Sequence, residues 1–187
     1  CDNVSNIKLE ETERKFLKFE EIKQLSLTLP EDVISQQVAK MFLFSCFTGL
    51  SIANLLSLTY MQIENDTVKF FRTKNSTWQY EPLSKTALAL IGDTVNCPPD
   101  AKVFTTLDYR QCRYRLQKWG KQAGIQKTLN FHLGRHTFAT LSLTQGVDVF
   151  TVQKLIGHKK LATTQIYAKV IDSVKRKAVD ALPQLEL

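Results

Sequence analysis

The run "EDVISQQVAKMFLFSCFTG", residues 31–49, limits the fold more than any other stretch. Val33, Val38, Met41, Phe42 and Phe44 recur at helical spacing, over a length that exceeds an ordinary strand. Gly49 is a natural stop for such a helix. The apolar segment "MFLFSCF" is much too short to cross a bilayer. The run therefore predicts a central helix buried among others. The chain has 187 residues, enough for one ordinary domain, and 43% of them are hydrophobic, as in a globular protein.

The flanking segments fit that core. "KFEEIKQLSLTLP", residues 18–30, reads as a helix ended before Pro30, and "SIANLLSL", residues 51–58, as a short one. The texture then changes. "MQIE", "TVKFFRT" and "TWQYEPL" are short runs rich in β-branched and aromatic residues, separated by Asn65-Asp66 and Asn75-Ser76. They predict a small three-stranded antiparallel meander. Helical texture returns at Ser84. "LDYRQCRYRLQKWGKQAG", residues 107–124, is amphipathic and basic, with Gly124 as its stop. "NFHLGRHTFATLSLTQG", residues 130–146, is another helix, with Asn130 as cap and Gly146 as end. Asp148 is placed to cap "VFTVQKLIG", and "SVKRKAVDAL" makes a last helix. The predicted class is mainly α with one small antiparallel sheet.

Charge and cysteine usage narrow the partners. The formal net charge is +7, which suits a polyanionic partner such as nucleic acid or an acidic membrane surface, or serves solubility alone. Cys1, Cys46, Cys97 and Cys112 are far apart with no CxxC pair, so neither a zinc site nor a disulfide framework is indicated. The expected compartment is reducing, and Cys46 is expected in the core. Residues 1–15 are charged and aperiodic. They read as a linker from a missing N-terminal part, with residues 16–187 as the following domain.

Several residues could carry chemistry. His132 and Arg135 lie three apart on one predicted helix and share a face. With His158 and Tyr167 they supply a proton acceptor or donor, a fixed cation, a second donor and a hydroxyl. That set suits phosphoryl transfer. A planar, always-protonated guanidinium neutralises phosphate oxygens, and a hydroxyl can attack if a neighbour takes its proton. No carboxylate cluster is present to hold a metal.

Residues 131–170, "FHLGRHTFATLSLTQGVDVFTVQKLIGHKKLATTQIYAKV", closely resemble the C-terminal signature of the tyrosine recombinases, the phage-integrase family. The pattern is His-x-x-Arg-His-Thr, then Leu-x-Gly-His, then Thr-Thr-x-x-Tyr. "FTGLSIANLLSL" is similar to the family's Thr-Gly-Leu-Arg box, and the meander sits where the family has its hairpin. The resemblance implies the family's DNA breaking-rejoining catalytic fold. It implies that Tyr167 attacks a DNA phosphate to form a 3′-phosphotyrosyl bond without metal, ATP or other cofactor. It makes Arg135 the phosphate clamp, His158 a donor to the phosphate and His132 a proton acceptor or donor. Lys74 becomes the general acid for the leaving 5′-oxygen, while His136 is read as structural.

One departure stands out. The residue after Thr-Gly-Leu is Ser51, where the family has an Arg. Arg72, two residues before Lys74 and on the same strand face, is the candidate replacement cation. Arg110, Arg113, Arg115, Lys118 and Lys121, with Lys159 and Lys160, are candidate DNA-phosphate contacts. The resemblance implies double-stranded DNA as partner, a homotetramer on DNA and a monomer without it. It allows accessory DNA-bending proteins and gives the membrane no role. The implied location is the bacterial cytoplasm, in association with the nucleoid. The apolar stripe Val174, Ala178, Leu182 would dock on a neighbouring subunit or pack back on its own domain. Two other functions stay open: a DNA-binding relative impaired by Ser51, and an enzyme like the type IB topoisomerases.

Overall fold

The structure is a computed structural model. It describes residues 15–72, 77–94, 96–104, 107–158 and 179–180, with Arg72 described by its backbone alone. All of the predicted linker over residues 1–15 except Lys15 lies outside the described residues, and so does all of the predicted last helix except residues 179–180, which are helical.

The helices are α1 (Phe19–Leu27), α2 (Val33–Thr48), α3 (Ile52–Ser57), α4 (Lys85–Ile91), α5 (Tyr109–Gln122), α6 (Phe131–Thr144) and α7 (Val149–Ile156). Most begin on a polar side chain that accepts a hydrogen bond from an otherwise unpaired N–H. Asp32 accepts from Ser35 N at 2.8 Å, Asp108 from Gln111 N at 2.8 Å, and Asn130 from Leu133 N at 2.9 Å. Asp148 accepts from Phe150 N and Thr151 N, both at 3.0 Å.

Helix α2 is the axis of the molecule. It packs against α4, α5 and α6. Phe42 meets Trp119 of α5 and Phe131 of α6 edge-on, each with ring centres 6.1 Å apart. Helix α6 crosses α2 closely at Gly134, where a Cβ would lie 3.2 Å from Ser45 Oγ and 3.3 Å from Phe42 Cε2. Cys46 is buried here, and burial pushes its thiol far above the ordinary range. Helix α7 closes a smaller cluster through Val152 and Ile156 against Ala139 and Leu143 of α6.

Between α3 and α4 lies one antiparallel sheet of β1 (Ile63–Glu64), β2 (Thr67–Arg72) and β3 (Thr77–Pro82), in that order. Asn65 and Asp66 both take positive φ, 49° and 56°, as a tight hairpin turn requires. Register pairs Phe71 with Trp78, Lys69 with Tyr80 and Val68 with Glu81. Val68 and Phe70 face the core, while Phe71, Trp78 and Tyr80 are exposed. The class expected from the sequence, mainly α with a small three-stranded antiparallel sheet, is the one found. Among the described residues, no helix is long and apolar enough to cross a membrane.

Candidate active site and DNA-facing surface

The site is assembled at the C-terminal end of α2. Gly49 ends that helix in the left-handed conformation, φ 69° and ψ 6°. A Cβ at this position would lie 2.5 Å from Phe138 Cδ1 and 3.2 Å from Ile156 Cγ2. A glycine here lets the end of α2, α6 and α7 close on one another. Arg135 uses the same point: its Nη1 donates to the Gly49 carbonyl at 2.6 Å. That carbonyl sits at a helix C-terminus, where partial negative charge gathers, so the dipole and the hydrogen bond hold the guanidinium together.

Helix α6 is fixed from its other side as well. The buried Thr137 hydroxyl accepts from Leu17 N at 2.9 Å and donates to Leu133 O at 2.8 Å. The segment leading into α1 is thus bonded to the helix that carries His132 and Arg135. His132 lies in the first turn of α6 and is exposed, while Arg135 and His136 are half-buried. His158 follows Gly157, which ends α7 at φ 61° and ψ 41°. Its backbone is bracketed by one residue. His158 N donates to Gln153 O at 3.0 Å, and Gln153 Nε2 donates to His158 O at 3.0 Å. Neither Gln153 nor the Gly49 carbonyl was singled out from sequence. Backbone acceptors leave no signal in a motif, and Gln153 looks like any polar residue on an exposed helix.

Ser51 caps α3. Its Oγ accepts from Asn54 N at 3.4 Å, and its carbonyl accepts from Leu55 N at 3.0 Å. Arg72 is the last residue of β2, paired with Thr77 at the end of the β2–β3 pair that residues 73–76 connect in sequence. Lys74, Tyr167, Lys159 and Lys160 lie outside the described residues.

On α5, Arg110, Arg113, Lys118 and Lys121 are exposed. Arg115 is engaged differently. Its Nη1 donates to Asp32 Oδ1 at 3.1 Å and to Ser35 Oγ at 2.9 Å. The Asp32 carboxyl is held below the ordinary range by its bonds to Ser35, with the Arg115 charge adding to them. Arg115 therefore ties α5 to the start of α2. The exposed ridge of α5 is Arg110, Tyr114 and Lys118, one turn apart.

Residues 15–173 match the model of the phage integrase family. The chain belongs to that family. Tyrosine recombinase XerA of Saccharolobus solfataricus is 35% identical over 138 residues, covering 72% of this chain and 47% of that protein. The chain thus spans about half of that relative's length. Two solved structures share the fold. The catalytic domain of bacteriophage HP1 integrase superposes with a TM-score of 0.69 at 20% identity, over 90% of this chain and 95% of that domain. The XerH site-specific recombinase, bound to a palindromic difH substrate, gives 0.71 at 18% identity, over 96% of this chain and 57% of that one. Within the family, position 51 and the fixed Arg135 become the points of interest.

Proposed function

We propose that this chain carries the catalytic domain of a site-specific DNA recombinase, with residues 1–15 as the linker leading into it. The observation that carries the reading is the anchoring of Arg135 on the Gly49 carbonyl. It sets an always-charged guanidinium beside the Thr-Gly-Leu turn, on the helix that also presents His132. Arginine so placed neutralises the non-bridging oxygens of a phosphodiester as charge builds up on them.

In this mechanism Tyr167 Oη attacks the scissile phosphorus and His132 takes the phenolic proton. A Tyr167 Oη–phosphorus bond forms as the bond to the 5′-oxygen breaks, and Lys74 protonates that oxygen. A 3′-phosphotyrosyl ester and a free 5′-hydroxyl result. His158 donates to a phosphate oxygen throughout. Rejoining reverses the step with the 5′-hydroxyl of another strand as nucleophile. The ester keeps the bond energy, so no ATP enters. Strand exchange between two duplexes needs four such sites, hence a homotetramer on DNA built from protein that is monomeric without it. Arg110, Arg113, Lys118, Lys159 and Lys160 hold flanking phosphates. Arg115 joins them only if it leaves its bonds to Asp32 and Ser35.

Arg72 supplies the cation that the family's first Arg would give, since Ser51 cannot. A second reading, a binding-only relative, draws on Ser51 itself. Covalent trapping on a nicked substrate carrying the protein's own recombination site separates the two. The parent forms a denaturant-resistant adduct that Tyr167→Phe abolishes. Arg72→Ala slows its formation by roughly 10²–10³-fold, the usual cost of losing one anion-stabilising donor, and Ser51→Arg in that background restores part of it. A parent that binds the site and never forms the adduct leaves only the binding reading.

A further inference from the structure

The turn that receives Arg135 is held on both sides by one buried side chain that the proposed chemistry does not use. Three successive peptide planes make up this turn. The first carries Gly49 N–H, which donates to Ser45 O at 2.9 Å. The second carries the Gly49 carbonyl, the acceptor of Arg135 Nη1, and Leu50 N–H, which donates to Thr48 Oγ1 at 3.3 Å. The third carries the Leu50 carbonyl, which accepts from Ser45 Oγ at 2.9 Å. Ser45 thus bonds the planes before and after the one that meets the guanidinium.

Its hydroxyl is used in an uncommon direction. A serine or threonine within a helix commonly donates back to the carbonyl one turn earlier, as Thr48 Oγ1 does to Phe44 O at 2.8 Å. Ser45 reaches forward instead, past the end of α2. It is fully buried, and it carries the one hydroxyl in the apolar run 41–47. Gly134, the residue before Arg135, packs on the same side chain: a Cβ there would lie 3.2 Å from Ser45 Oγ and 3.3 Å from Ser45 Cβ. A longer side chain at position 45 would push α6 away. An apolar one of the same size would leave Leu50 O without this donor. A hydroxyl that only satisfied a buried carbonyl would stabilise the fold and leave Arg135 alone. Here both partners of the Arg135–Gly49 bond, the helix and the turn, rest on Ser45.

We infer that Ser45 is a positioning residue for Arg135: its buried hydroxyl holds the turn that aims the Gly49 carbonyl at the guanidinium. It touches no substrate and acts through that carbonyl alone. The inference rests on the recombinase reading for the part that Arg135 plays in cleavage, and not for the hydrogen bonds themselves.

Ser45→Ala in the 187-residue chain removes the hydroxyl and keeps a good helix former. Nitrogen-15 NMR of the arginine side chains follows the Nη hydrogens of Arg135, assigned by their loss in Arg135→Lys. Their exchange with water should be slowed in the parent and about tenfold faster in Ser45→Ala, as a weakened hydrogen bond allows. Single-turnover adduct formation on the nicked substrate should slow by roughly 10–10²-fold, the scale expected for a clamp displaced by up to 1 Å. Affinity for the uncleaved duplex should stay at the parental value. Cys112→Ala, a buried change on α5, should lower the melting temperature and leave both readouts alone.

Arg135 hydrogens that are unprotected in the parent, or that exchange at the parental rate in Ser45→Ala, overturn the inference. So does an unchanged adduct rate in Ser45→Ala when the parent reacts. Cys112→Ala that reproduces both effects overturns it too, since any loss of stability would then suffice. A parent that binds its site and forms no adduct removes the recombinase reading, and the exchange measurement still decides whether Ser45 holds Arg135.

Discussion

Replacing Gly49 with alanine tests the junction on which the site is built. Two costs add. The backbone sits at φ 69°, where a side chain costs about 1–2 kcal/mol. The new Cβ would stand 2.5 Å from Phe138 Cδ1. Ordinary carbon contact is about 3.5–4.0 Å, so the ring, or α6 with it, must retreat by roughly 1 Å. Overpacking of this kind costs about 1–3 kcal/mol. The sum, about 2–5 kcal/mol, is a large share of the ~5–15 kcal/mol that holds a domain together. The larger effect should be on chemistry. Phe138 lies three residues after Arg135 on α6, and the acceptor of Arg135 is the Gly49 carbonyl itself. Misplacing a clamp by ~1 Å costs on the order of 10²-fold in rate. Urea melts give the first quantity. Single-turnover adduct formation on the nicked substrate, run well below the melting temperature, gives the second. Phe138→Leu in the alanine background removes part of the clash and none of the φ strain, so it should recover part of the stability. An alanine variant that melts with the parent would refute the steric reasoning. One that is destabilised yet forms adduct at the parental rate would show that Gly49 positions nothing for Arg135.

Three further outcomes are expected. Gln153→Met removes the donor to His158 O and should cost about 1 kcal/mol in a urea melt, with slower adduct formation; a variant identical to the parent in both would mean that the bracket around His158 holds nothing. Arg115→Ala, which breaks the bonds to Asp32 and Ser35, should lower the melting temperature and barely change the salt slope of DNA binding, whereas Lys118→Ala should reduce that slope and leave melting alone. The Asp148 carboxyl is held below its ordinary value of 3.8, chiefly by its bonds to Thr151. A lowered folded value means that the cap contributes fully above pH 3.8 and loses its contribution as the pH falls through the folded value. Asp148→Asn, which keeps an acceptor but cannot titrate, should flatten the acid limb of a stability–pH curve, and an unchanged limb would count against the cap.

The elements were legible because each is announced by local chemistry. Asp32, Ser84, Asp108, Asn130 and Asp148 are short polar side chains placed just before apolar periodic runs, and each caps the helix it precedes. Asn65-Asp66 signalled the hairpin turn for an equally local reason, its tolerance of positive φ. The site was legible only as side chains. His132, Arg135 and His158 stand at readable spacings, but what fixes α6 and its Arg135 is long-range: the Gly49 carbonyl, 86 residues from Arg135, and Leu17 N, 120 residues from Thr137. Arg115 shows the opposite limit. A basic residue on a basic helix reads as a phosphate contact, and nothing local reveals that Asp32 and Ser35, across a helix–helix boundary, engage it.

The anchoring of Arg135 also bears on what Ser51 costs. If the two arginines of the family's pattern held each other in place, losing one would disorder the other. Here Arg135 donates to a backbone acceptor, the Gly49 carbonyl, placed by the left-handed turn at that residue. Ser51 meanwhile does work that an arginine side chain does not. It caps α3, a helix of 6 residues that is too short to stand on its own propensity, and a serine cap is worth about 0.5–2 kcal/mol. If the chain acts on DNA as proposed, Ser51 trades charge at the phosphate for a cap on α3. On the recombinase reading, what is missing is a charge and not a geometry. A missing charge can be supplied by any cation on a neighbouring element, and β2 ends in one.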